Sequence, residues 1–122
     1  MRLNETINRF ALVSGLEPEE VSKWTVLCCD ASKEIERMVP SGVKLSEEDV
    51  LRLSRSAGVY AYYKYCMYAY VTKVKGFTAG NVSVTISQDE MEHAEKLWKA
   101  EREALWDILG QESGFAFKGV RA

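Results

Sequence analysis

The side chains best suited to catalysis or metal binding in this chain are one histidine, His93, and three cysteines, Cys28, Cys29 and Cys66. A structural zinc site takes about four ligands at close, recurrent spacings. No C-x-x-C or Cys/His cluster is present. An odd cysteine count with an adjacent pair is also a poor disulfide framework, and it points to a reducing compartment. Cys28 and Cys66 therefore read as small core hydrophobes. His93 stands among Glu92, Glu95 and Lys96 and reads as a solvated side chain. Nothing near it in sequence offers a nucleophile for a triad. The paired acids Glu19 with Glu20 and Glu47 with Glu48 fall at helix starts, where the positive end of the helix dipole accounts for them. The stretch GFTAGNVS lacks the lysine and the glycine spacing of a phosphate-binding loop. The expectation is a non-enzyme that uses no metal and no cofactor.

Composition narrows the class further. The chain has 122 residues, 47% hydrophobic and 28% charged, which suits one globular domain with its own core. A net charge of -2 and a pI near 5.5 argue against nucleic acid or an anionic membrane as the main partner. No secretory signal is visible at the start. The most apolar run, AGVYAYYKYCMYAYV at 57 to 71, is too short for a bilayer span, and Lys64 interrupts it.

The elements that must position any functional surface are helical. Residues 4 to 13 form a short helix with Leu3, Ile7, Phe10 and Ala11 on one side, and Gly15 stands where a left-handed cap would end it. Pro18 then suits the first turn of a second helix, helped by Glu17, Glu19 and Glu20. Val21, Trp24, Cys28, Ala31, Ile35 and Met38 recur at spacings of three and four, so that helix is expected to run unbroken to Pro40. Ser46 with Asp49 approximates a capping box and opens a third helix from Glu47 to about Lys73. Its second half carries Tyr60, Tyr62, Tyr63, Tyr65, Cys66, Met67, Tyr68, Tyr70 and Val71 around almost the whole circumference. A helix apolar all round must be covered all round. It is either a central core helix with tyrosine hydroxyls at the rim or, in part, a subunit contact. Ser87 with Glu90 signals a fourth helix to about Leu109, with Met91, Ala94, Trp98, Leu105 and Ile108 as its buried face. Glu92 with Lys96, Glu95 with Lys99 and Lys99 with Glu103 are spaced for i,i+4 pairing on its outer face.

The fold class expected is all-α: a small bundle of about four helices over residues 1 to 112 and an extended tail over 113 to 122. Before the last helix comes a Gly-bracketed loop or short β-like excursion at 76 to 87. There Val82, Val84 and Ile86 alternate with polar residues, either covering the chain's own core or offering an open edge to a neighbour. The tail, with Phe115, Phe117 and Val120, either packs back or is received elsewhere.

Charge is unevenly placed. No Asp or Glu occurs from Val50 to Gln88, while Arg52, Arg55, Lys64, Lys73 and Lys75 all fall in that span. Acidic helices either pair with this basic one inside the monomer or meet it between copies, as in a head-to-tail ring. A helix-turn-helix reading of INRFALVSGLEPEEVSKW places glutamates where phosphate and base contacts are needed, so DNA recognition fits poorly.

Two segments carry a resemblance. FTAGNVSV (Phe77, Ala79, Gly80, Asn81, Val82, Ser83, Val84) and GFAFKGV (Gly114, Phe115, Phe117, Lys118, Gly119, Val120), set in this helical order, are similar to the small head–tail connector (adaptor) proteins of tailed phages and prophages. The resemblance implies a structural role in a homo-oligomeric ring of about twelve copies. That ring would dock beneath the portal protein at the virion head–tail junction, after passage through the host cytoplasm. It would offer a surface to the next connector or a tail-completion protein, with DNA only as passing cargo and no membrane partner. The candidate subunit-interface or portal-docking residues are Phe77, Ala79, Gly80, Asn81, Val82, Val84, Ile86, Phe115, Phe117, Lys118 and Val120. The alternatives are a small bacterial helical regulatory or nucleic-acid-binding module, or an enzyme subunit whose partner supplies the chemistry.

Overall fold

A computed structural model describes residues 1 to 75 and 86 to 110; within it the side chains of 71 to 75 are left aside. The described elements are α1 (Leu3–Ser14), α2 (Pro18–Ser22), α3 (Thr25–Met38), α4 (Glu47–Lys75), α5 (Gln88–Ala104) and α6 (Trp106–Leu109). The all-α expectation holds, with no strand among the described residues. The central element is α4, against which α1, α3 and α5 all pack.

The caps follow the sequence closely. Gly15 adopts φ 70° and donates its N–H to the Ala11 carbonyl. Pro18 opens α2. Ser46 and Asp49 exchange hydrogen bonds of 3.1 and 3.2 Å, so aspartate closes that capping box as glutamate usually does. Ser87 and Glu90 form the second box.

Two helices expected to be continuous are broken. The stripe from Val21 to Met38 bends at Lys23 and Trp24, where the amides bond three residues back, to Glu20 and Val21. Two causes are visible, one local and one tertiary. The Ser22 and Thr25 hydroxyls donate to the Glu19 and Ser22 carbonyls at 2.8 and 3.0 Å, offering the backbone an alternative to the helical ladder. The Trp24 ring seats edge-on against Tyr65, with centroids 4.9 Å apart. The last helix breaks at Leu105 (φ -93°, ψ 8°). That break lets both Leu105 and Ile108 reach the core.

The core forms two connected regions along α4. One joins Phe10, Val21, Cys28, Ala31, Ile86 and Ala94 to Ala61, Tyr62, Tyr65, Cys66 and Ala69. The other joins Ile35, Trp98, Leu105 and Ile108 to Leu53 and Ala57. Small residues let α1 approach α4 closely between them. The buried Thr6 hydroxyl donates to the Ser54 carbonyl at 2.7 Å. A Cβ placed on Gly58 would stand only 2.6 Å from the Thr6 carbonyl oxygen and 2.6 Å from the Arg9 Cβ. Glycine in this helix interior, unfavourable by roughly 1 kcal/mol on propensity, is therefore explained by backbone contact.

Candidate functional site

The basic stretch of α4 is neutralised inside the chain wherever its side chains are described. Arg52 donates twice to Asp107, at 2.8 and 3.0 Å, and once to the Ala104 carbonyl. Arg55 meets Glu5 at 3.4 Å and Lys64 meets Glu34 at 2.6 Å. The acidic partners come from α1, α3 and α6. These three positions take the intramolecular alternative and leave no need for a partner copy's acids.

Lys64 belongs to a small polar cluster. Tyr60 donates its hydroxyl to Glu34 at 2.8 Å, and the ammonium stands 5.0 Å from the Tyr60 ring centroid, a cation–π distance. Tyr60 in turn packs on Trp98 with centroids 4.5 Å apart. The hydrogen bond from Lys64 holds the Glu34 carboxyl below its ordinary value, against the opposing effect of burial. A lowered folded-state pKa means stability that is present above the ordinary carboxylate value of 4.5 and lost as pH falls through the folded value. The stability gap between wild type and Glu34→Gln is thus expected to be widest near neutrality and to narrow in acid below about 4.5. Urea titrations at several pH values check this, with a gap on the order of 1 kcal/mol for a half-exposed pair.

Beside this cluster the C-terminal half of α4 is incompletely covered. Tyr62 and Tyr65 are buried, but Met67 is 39% and Tyr68 44% exposed. An open groove of about 460 Å³ is lined by Leu27 of α3, Lys64, Met67, Tyr68 and Tyr70 of α4, and Met91 of α5. Its walls are apolar apart from the Lys64 head and the tyrosine hydroxyls. A greasy cleft with two thioethers and two phenol rings suits an apolar or aromatic side chain from another segment.

The other chemistry-bearing residues stand as the sequence suggests. Cys28 and Cys66 are fully buried free thiols. Burial, with Cys29 adding to it, pushes Cys28 up to about 11. Burial likewise pushes Cys66 up to about 11; neither is a thiolate at neutral pH. His93 is exposed. No group of three or more possible metal ligands forms among the described residues. No helix among them is long and apolar enough to cross a membrane. The three i,i+4 charge pairs expected on α5 do not close to ion-pair distance among the described residues.

Of the predicted interface residues, Phe77, Ala79, Gly80, Asn81, Val82, Val84, Phe115, Phe117, Lys118 and Val120 lie outside the described residues. Ile86 is described, and it is 4% exposed in the first core region. It covers the chain's own core and presents no surface to a neighbour. Leu27 borders the apolar stripe that marks α3, so its spacing alone does not single it out. The spacing on α5 places Met91 on its buried face, whereas the side chain is only partly buried. The only signal for the groove was the surplus of apolar residues on α4.

Protein-family models, curated proteins and solved structures give no match to this chain.

Proposed function

We propose that this chain is a structural subunit of a tailed-phage or prophage head–tail junction. Copies of it ring the channel beneath the portal protein and present a surface to the next connector or a tail-completion protein. The observation that carries the assembly part of this reading is the groove: a central helix with apolar side chains on more of its surface than α1, α3 and α5 cover. The segments FTAGNVSV and GFAFKGV, with their likeness to connector proteins, supply the phage part. The acidic balance suits a wall that DNA passes without sticking, since a basic lumen would hold phosphates.

The test is recruitment to the portal. Full-length chain mixed with purified portal rings encoded by the same genome is expected to cosediment with them in a gradient. A Phe115→Ala, Phe117→Ala double variant is expected to keep the wild-type helical spectrum and to lose cosedimentation. A wild-type chain that stays at the top of the gradient rejects the reading.

A further inference from the structure

We propose that Arg52 is the latch of a salt-sensitive hinge between α5 and α6. Its guanidinium stands in for a helical N–H at the break, and once it lets go the two helices join into one. The hinge sets the direction in which the chain leaves α6 at Gly110.

The hydrogen bonds at the break carry this. In an unbroken helix the Ala104 carbonyl would accept the Ile108 N–H, four residues on. Here Ile108 donates to the Leu105 carbonyl at 2.9 Å, and the Leu105 N–H turns back to the Arg102 carbonyl at 3.2 Å. The Ala104 carbonyl accepts from Arg52 Nη2 instead, at 3.0 Å. The same guanidinium donates to Asp107, in the first turn of α6, at 2.8 and 3.0 Å. One side chain on α4 thus bonds the last residue of α5 and the first turn of the helix beyond it.

The local sequence gives no other reason for a break. Sharp bends in helices trace to proline, to glycine or serine, to bulges, or to a side chain that enters the hydrogen-bond ladder. Residues 102 to 109 read REALWDIL, with no proline, glycine or serine. Arg52 is the side chain that enters. Trp98, Leu105 and Ile108, at spacings of seven and three, also share one side of an unbroken helix. Joining α5 to α6 therefore turns none of them to the wrong face.

Salt sensitivity follows from where the latch lies. The Arg52 and Asp107 side chains are 37% and 62% exposed. A cavity of about 150 Å³, with Arg9, Arg55, Ala104 and Leu105 among its walls, opens onto the same guanidinium. Dissolved ions reach such a pair and weaken it. Asp49, on α4 itself and 3.7 Å away, gives Arg52 a partner to fall back on when it leaves α6.

NMR spectroscopy of the full chain tests this. The contact between the Ala104 α-proton and the Ile108 amide proton is short in an unbroken α-helix, and it is expected to be missing from wild type at low salt. Arg52→Gln is expected to bring it up. Arg55→Gln removes a neighbouring charge whose ion pair is with Glu5, and it is expected to leave the contact missing. In wild type the contact is expected to grow as sodium chloride rises from about 0.05 to about 1 M, where the screening length falls to about 3 Å. A contact absent from Arg52→Gln, equally present in Arg55→Gln, or already strong in wild type at low salt overturns the proposal. So does a wild-type spectrum that salt leaves unchanged. Should Arg52→Gln not fold, the salt series on wild type decides alone.

Discussion

Phe10→Ala is expected to lower the stability of this protein by about 3–5 kcal/mol, the range for removing a fully buried aromatic side chain. Phe10 is 0% exposed and is the largest of the fully buried side chains. Its ring meets Tyr65 edge-on with centroids 5.9 Å apart. Tyr65 also carries Trp24, at 4.9 Å, and Tyr62 stacks beside it at 6.4 Å. The ring thus joins α1 to the same aromatic group that receives the break between α2 and α3. Small helical elements cannot collapse into the void without moving that group. Against a total of roughly 5–15 kcal/mol for a domain of ordinary stability, such a loss leaves a protein close to unfolding at moderate temperature. Urea denaturation of wild type and variant measures it. Phe10→Leu, which keeps most of the volume, is expected to lose less than half as much. A loss below about 1 kcal/mol for Phe10→Ala means that α1 is not seated as described.

Gly58→Leu is the second large effect, and it works by excess. At Gly58 the atoms that a Cβ would meet are backbone or near-backbone: the Thr6 carbonyl oxygen, the Arg9 Cβ and, at 2.9 Å, the Phe10 amide nitrogen. None can rotate away. A side chain there forces α1 off α4, which also strains the 2.7 Å bond from Thr6 to the Ser54 carbonyl. Overpacking costs about 1–3 kcal/mol where neighbours can yield, and with a rigid backbone opposite, leucine is expected at or above the top of that range. Gly58→Ala makes the sharper comparison. On helix propensity alone it stabilises by roughly 1 kcal/mol; with α1 this close, it is expected to destabilise instead. The sign, read from the urea midpoint, decides whether the close approach is real. Circular dichroism of both variants should keep the helical signature, because α4 itself gains a better helix former.

Local structure was legible in the sequence wherever one short-range rule governed it. Gly15 ends α1 with the left-handed backbone that only glycine adopts cheaply, Pro18 opens α2, and the two capping boxes start α4 and α5 at the residues their spacing marks. Period 3.6 likewise identified Val21, Cys28, Ala31, Ile35, Ala94, Trp98, Leu105 and Ile108 as buried. The breaks at Trp24 and Leu105 were not legible. Both stripes continue across their breaks, and the cause lies in where the ring and the leucine find room once α4 is in place.

What sequence by itself determined, then, is the helical class, the helix starts and the buried stripes, since these depend on neighbours within a turn or two. Tertiary structure alone decided which acids Arg52, Arg55 and Lys64 take, why a glycine stands at 58, and which part of an all-round apolar helix the other described helices leave open. Those outcomes depend on distances between segments far apart in the chain. Leu27, Met67, Tyr68 and Met91 come together because α3 and α5 flank this part of α4 and, among the described residues, leave one side of it uncovered.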